Sequence, residues 1–360
     1  MDKLLSLFLL AAAPAPVHTP AAAEEETETP VEQLIATALP AKTVMAKAET
    51  APVATIDDAA DDPAIWVNSS DRGKSLIIGT DKRAGIHVYD MAGRAVSFTP
   101  APRLNNVDLR DNVRVNGETA VLVAASDRRD ETNAAIALFT LDTDAGKLLP
   151  LANLQIGPGE AYGMCLWQRK SDERVYAFLV LKDGRIDQVE LDLSGATITG
   201  KVIRQMKLGS QSEGCVVDDR TGLLYVAEED VGIWRFDARP TASVKARAMA
   251  RTNGKQLVAD AEGLAIAPAG GNGGYLLASS QGDYAYTLYS LRGGRYIGRF
   301  RIGNGPGGDG VQETDGLELA LGDFGPDYPA GLLVVQDGDN KPETQNFKYV
   351  SWADVLKALF

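Results

Sequence analysis

One short motif returns at intervals through this chain, and that repetition limits the folds open to it more than any other feature. A polar or acidic residue is followed by a small residue, glycine or proline, and then by alternating apolar positions. The copies are Asp61-Asp62-Pro63-Ala64-Ile65-Trp66, Asn105-Asn106-Val107-Asp108-Leu109, Ala161-Tyr162-Gly163-Met164-Cys165-Leu166, Ser212-Glu213-Gly214-Cys215-Val216-Val217, Ala261-Glu262-Gly263-Leu264-Ala265-Ile266 and Thr314-Asp315-Gly316-Leu317-Glu318-Leu319. They begin about 44 to 56 residues apart, the period of a repeated structural unit. Behind each copy an apolar run enters a polar turn and a further run resumes. The turns are Gly79-Thr80-Asp81-Lys82-Arg83, Ala125-Ser126-Asp127-Arg128, Val180-Leu181-Lys182-Asp183, Ala227-Glu228-Glu229-Asp230, Ser279-Ser280-Gln281-Gly282-Asp283 and Val335-Gln336-Asp337-Gly338-Asp339.

A unit of about fifty residues accommodates three or four short antiparallel strands. Gly222–Ala227 with Gly232–Phe236, and Tyr275–Ser280 with Tyr284–Tyr289, have the form of hairpins. Many of the 36 glycines fall at such turns, and helical periodicity is missing until Ala353–Phe360. A lone sheet of this size cannot bury both faces, whereas six set radially each cover a neighbour. The expected fold is therefore an all-β, six-bladed β-propeller; a β-sandwich or β-helix accounts for the repeats less well. The sixth unit, with Leu317–Leu321, Gly331–Gln336 and Phe347–Trp352, is one strand short. Val44–Ile56 is expected to supply its outer strand, so that an N-terminal strand closes the ring.

Ahead of this domain, placed at 47–360, Leu4 to Ala13 form a short apolar stretch followed by small residues, the pattern of an export signal ending by about residue 23. Residues 24–46 are rich in Ala, Pro, Glu and Thr and are expected to form a flexible acidic lead-in. No later segment resembles a transmembrane helix, so the expected location is secreted or periplasmic, with no membrane partner and a monomeric state. The formal net charge of -13 argues against nucleic acid, whose binders carry a basic footprint.

Scarce residues narrow the chemistry. The two histidines are His18, in the leader, and His87, in the alternating run Ile86-His87-Val88-Tyr89 of a strand. Enzymes built on a histidine nucleophile, a histidine-rich zinc site or a Ser-His-Asp triad thus lack their imidazole. Cys165 and Cys215 stand in matching motifs and are read as buried small apolar residues, with a disulfide left open.

In a propeller the first strand of each unit lines the axis, and turns at one end of successive strands share one face. The repeats therefore gather Lys82, Arg83, Arg128 and Lys182 from the first three units, and Glu213, Glu229, Asp260, Glu262, Asp315 and Asp337 from the last three. One half of the face is expected to be cationic and the other anionic. Any one of these alone would read as a solvated turn residue; their recurrence at one offset argues for a site. Carboxylates without histidine or thiolate suit a hard cation, calcium before magnesium or zinc. Lysine and arginine suit phosphate. Water activated by calcium would attack phosphorus, with Tyr162, Lys82, Arg128 and Lys182 stabilising the phosphoryl oxygens. Activity would lean toward neutral or alkaline pH.

Asp61-Asp62-Pro63-Ala64-Ile65-Trp66, Asn105-Asn106-Val107-Asp108, Ala227-Glu228-Glu229-Asp230 and Leu276-Leu277-Ala278-Ser279-Ser280-Gln281-Gly282 closely resemble the β-propeller (alkaline) phytases, and Thr314-Asp315-Gly316 and Gln345-Asn346-Phe347-Lys348 extend the match. The resemblance covers about residues 50–355. It implies calcium-dependent hydrolysis of myo-inositol hexakisphosphate (phytate), taken as its calcium complex, with several calcium ions, structural and at the active face. It implies Lys82, Arg128, Tyr162 and Lys182 around phosphate, and Glu213, Glu229, Asp260, Glu262 and Asp315 as calcium ligands or water-positioning groups. Asp62 resembles a structural-calcium ligand, and Arg83, Asp183 and Gln281 are assigned to substrate binding. Arg83 stands where relatives commonly carry lysine, and Asp183 where they carry glutamate. The competing functions are a non-catalytic propeller that binds phosphorylated ligands and a calcium-dependent lactonase or esterase. A lactonase needs no cationic cluster, so Lys82, Arg128 and Lys182 count against it.

Overall fold

A computed structural model describes residues 29–360; the expected export signal lies outside the described residues. The chain is an all-β propeller. Four sheets have four strands each, and an eight-stranded sheet completes the set. The strands that open each repeat are Ala60–Trp66, Leu104–Val115, Ala161–Gln168, Ser212–Asp218, Ala261–Ala269 and Leu317–Leu321. Each touches the next in that order, and the last returns to the first, so these strands form the inner ring.

Apolar packing runs between sheets, as radial stacking requires. Leu122, Ile136 and Leu138 of the second sheet pack with Met164, Leu179 and Val189 of the third. Ile78 and Val88 of the first meet Val107, Val123 and Phe139 of the second. The middle strand Val175–Leu181 is apolar throughout and buried throughout because both of its faces are covered. Fully burying one such side chain contributes about 1.5–3 kcal/mol.

The repeated motif acquires a physical meaning at the start of the inner strands. The pairing register shifts between Ala60 and Pro63, Leu104 and Val107, Ala161 and Gly163, Ser212 and Cys215, and Ala261 and Leu264. A bulge leaves a residue outside the ladder and re-aims its side chain. Asp61, Asn105, Tyr162, Glu213 and Glu262 all sit inside these shifts. The motif glycines admit a neighbouring inner strand. A Cβ on Gly163 would fall 1.8 Å from the Glu213 carbonyl oxygen, and one on Gly316 would fall 2.2 Å from Asp62 Oδ1. Gly316 N donates to the Asp61 carbonyl at 3.1 Å, tying the last repeat to the first.

Three expectations need correction. The strand expected at Val44–Ile56 is Lys42–Glu49, and Ile56 is exposed and outside any strand. It pairs antiparallel with Asn346–Ser351, as an outer strand of the last unit should, but also parallel with Tyr296–Gly303. It therefore welds the last two units into the eight-stranded sheet. The segment read as a flexible lead-in contains a short helix, Val31–Thr37, and the start of that strand. Leu39 N bonds to the Lys255 carbonyl at 2.9 Å, which anchors this segment to the domain. Cys165 and Cys215, read as buried apolar residues, form a disulfide. They occupy matching places on adjacent inner strands, and those strands approach closely enough to bring the two Cα atoms within 5.7 Å. No helix among the described residues is long and apolar enough to cross a membrane.

Candidate active site

The bulged ends of the inner strands open into a cavity of about 870 Å³. Its lining includes Lys82, Tyr162, Glu213, Glu229, Asp260, Glu262, Gln281 and Asp315, so eight of the residues singled out from sequence converge there from five of the six repeats. Oxygens of Glu213, Glu229 and Glu262 lie within 4.8 Å of one another, and all three side chains are buried. Glu213 accepts from Asn105 Nδ2 at 2.7 Å, and Glu229 Oε2 accepts from Gln211 Nε2 at 2.7 Å. Glu229 Oε1 is buried and has no hydrogen-bond partner.

Burial and mutual repulsion hold these carboxyls far from their ordinary state. Burial, reinforced by Asp260, pushes Glu229 up to about 7 despite the Gln211 hydrogen bond. Burial also raises Glu213, with Asp61 and Asp315 adding to it, and raises Glu262, with Glu213 and Glu229 adding to it, both well above the carboxylate range. Asp315 reaches about 8, driven by burial and only partly relieved by Lys82. The negative charge of Glu213, then burial, raises the Tyr162 phenol. An all-oxygen donor set under this strain, with one oxygen unpartnered, fits a hard divalent cation.

The cationic groups are arranged in two ways. Lys82 lies among carboxylates, 2.8 Å from Asp58, 3.1 Å from Asp61 and 3.8 Å from Asp315. Burial alone would lower its ammonium, but those three acids outweigh burial and hold it above the usual lysine range. The expected division of the face into a cationic and an anionic half is therefore overturned. The ring places the first repeat beside the last, so Lys82 meets Asp315. Arg128 and Lys182 instead share the Tyr162 ring, their charged groups 5.0 and 5.4 Å from its centroid. Arg128 also donates from Nη1 to Asn105 Oδ1 at 3.0 Å.

Four residues from the sequence reading stand apart. Arg83 and Asp183 do not line the cavity: Arg83 Nε donates to the Asp58 carbonyl at 2.8 Å, and Asp183 pairs with Lys207 at 3.0 Å. Asp62 lines a second cavity, of about 490 Å³, farther along the inner strands, and accepts from Val107 N at 3.0 Å. Asp337 holds the buried Lys348 ammonium at 3.1 Å. Sequence reasoning missed Asp61, Asn105, Glu160 and Gln211 as members of the site. Asp61 and Asn105 were visible in the repeated motif, where only one polar residue of each pair was given a task or none. Glu160 and Gln211 just precede their motifs and carried no separate signal.

A model of the family described as "Phytase" matches residues 8–360. A curated relative described as "3-phytase", from Bacillus subtilis (strain 168), is 41% identical over 326 residues, covering 88% of this chain and 85% of its own length. These two matches, each over most of the chain, show that the chain belongs to the phytase family.

Proposed function

We propose that this phytase is a calcium-dependent phosphomonoesterase that acts on phytate, taken up as its calcium complex, in the manner named by its 3-phytase relative. The observation that carries the calcium reading is the buried Glu213, Glu229 and Glu262 cluster with its unpartnered Glu229 oxygen, beside two cations stacked on Tyr162. Glu213, Glu229 and Glu262 would hold the ion, with Asp260 and Asp315 at its border. Bound calcium would neutralise the carboxylates, polarise phosphoryl oxygens and lower the pKa of water. Arg128 and Lys182 would orient and neutralise the transferred phosphoryl group, and Tyr162 would hold both cations against one face. Lys82, held by Asp58, Asp61 and Asp315, would meet a second phosphate of the substrate or the border of the metal cluster. Gln281, whose amide nitrogen bonds Asp315, would keep that carboxylate aimed into the cavity. Arg83 and Asp183 are exposed on the same turns as Lys82 and Lys182 and would contact outlying phosphates of a bulky substrate. Asp62, in the separate cavity, would serve a structural calcium.

We read the eight-stranded sheet as two blades sharing Lys42–Glu49, which makes six blades around the inner ring of six touching strands. A single chain then completes the site, in keeping with a monomer exported by residues 1–23. Phosphate release from calcium phytate, measured with and without a chelator, tests the proposal. Activity that survives complete removal of divalent ions would refute calcium dependence.

A further inference from the structure

We propose that Glu160 is a built-in competitor for phosphate: its carboxylate bridges Arg128 and Lys182 in the free protein and gives way when a phosphoryl group binds. This rests on the reading of Arg128 and Lys182 as phosphate contacts. Glu160 stands one residue before the inner strand Ala161–Gln168. Its Oε1 contacts Arg128 Nη2, and its Oε2 lies 4.0 Å from Lys182 Nζ. Its carbonyl accepts from Lys182 N at 3.1 Å, which fixes the backbones of the two residues together.

Three features separate this from an ordinary structural ion pair. First, Arg128 does not need Glu160 to keep its place. Asn105 holds Nη1 and the Tyr162 ring supports the guanidinium plane, so the edge given to Glu160 is the edge left for a ligand. Second, Glu160 spans the two cations with one oxygen toward each, Oε1 on Arg128 and Oε2 toward Lys182, as two oxygens of a phosphoryl group would, so the two anions compete for one geometry. Third, the side chains are 15% exposed for Arg128, 17% for Glu160 and 41% for Lys182. A displaced Glu160 can therefore swing into water rather than into a desolvated pocket. A phosphate dianion carries more charge than the carboxylate and can reach both cations at once. The pair thus keeps the cations neutralised until an anion arrives that binds both of them strongly enough to displace it.

Glu160→Gln should lower the KM for calcium phytate and the inhibition constant of inorganic phosphate by about three- to tenfold, with kcat within about twofold of the parent. A KM and inhibition constant that rise or stay unchanged would overturn the proposal. Arg128→Ala, measured in parallel, separates the two levels of the argument. If it leaves KM and kcat at parental values, the phosphate-site reading itself fails. If it impairs activity while Glu160→Gln binds phosphate no tighter, the competitor role alone fails. Crystals of the unaltered protein soaked in inorganic phosphate give a reading that no folding defect can spoil. Phosphate on Arg128 with Glu160 turned away supports the role, and an intact Arg128–Glu160 pair with phosphate bound elsewhere refutes it.

Discussion

The two cavities along the propeller axis are built by the same inner strands and differ in how far their acids are paired. Asp61 faces the larger one and Asp62 the smaller, so neighbouring residues of one strand serve different ends. In the smaller cavity three of the five lining acids, Asp108, Asp218 and Asp219, are ion-paired with arginine. Arg110 holds Asp108 at 2.8 Å and approaches Asp219 at 3.4 Å, and Arg220 holds Asp218 at 2.8 Å. Asp108 Oδ2 also accepts from Leu166 N at 2.8 Å. Cys215 lines this end, where its disulfide joins two inner strands. In the larger cavity Lys82 is the one cation among the described lining residues, and the Glu213, Glu229 and Glu262 cluster has none inside it. One end pairs most of its acids with its own arginines. The other is left for a ligand to complete, which is how a repeated scaffold gains a site at one face and stability at the other.

The largest test of this contrast exchanges one carboxyl at each end. Glu213→Gln should lower kcat/KM for phytate by about 100-fold or more, because it removes an oxygen from the proposed calcium site. In the presence of a chelator the same change should raise the melting temperature, since a repelling carboxyl has gone. Glu318→Gln at the smaller cavity, where burial pushes the carboxyl up to about 8, should leave kcat/KM within about twofold. Equal losses from the two changes would erase the distinction between the ends.

The next test removes a matched cation. Arg110→Met leaves Asp108 and Asp219 without their partner in a half-buried setting and should cost about 1–3 kcal/mol in denaturant unfolding. Its kcat per folded molecule should stay near the parent value. A loss of activity without a loss of stability would move the functional boundary to the wrong end of the axis. Opening the Cys165–Cys215 bridge, by changing both residues to alanine, should cost about 2–4 kcal/mol, since it frees a loop of 50 residues in the unfolded chain. The effect should appear in the unfolding midpoint and hardly at all in the KM for phytate.

The architecture was legible because its cause is periodic. The motifs couple a polar residue, which in five of the six sits at a bulge, with a glycine in four of the six that lets the next strand approach, and with an apolar alternation that packs between sheets. Read together, these gave the ring and the convergence of Glu213, Glu262 and Asp315. Three kinds of feature escaped. The double pairing of Lys42–Glu49 depends on the distance between two outer edges, which no local pattern records. The interleaving of Lys82 with Asp315 comes from ring closure, a relation between chain positions far apart. Glu160 owes its place to Arg128 from the preceding repeat and Gln211 to Glu229 across its own hairpin, and a turn residue of either type looks the same when solvated. The disulfide was in view as two matching motif positions, but whether matched positions touch is a question of spacing around the axis.

The smallest expected effect is the sharpest probe of the unmatched end. Free carboxyls in an unfolded chain titrate near 4, whereas folding holds Glu229 near 7 and Asp315 near 8. Between those limits the metal-free folded protein keeps protons that the unfolded chain has lost. Stability contributed by these raised groups is therefore present at low pH and falls as pH climbs toward 8. With a chelator present, Glu229 alone should subtract about 2 kcal/mol of unfolding free energy between pH 5 and 7. Calcium should reverse the trend, because it binds the deprotonated set and stabilises the fold by about 2.7 kcal/mol when present at about 100 times its dissociation constant. The gain on adding calcium should thus grow with pH, and Glu229→Gln should flatten that growth while Glu318→Gln leaves most of it. Melting curves at pH 5, 6 and 7, with and without calcium, measure the difference directly. A calcium gain independent of pH would mean that the ion is held by groups other than the protonated cluster, and the two ends of the axis would no longer differ in the way their side chains indicate.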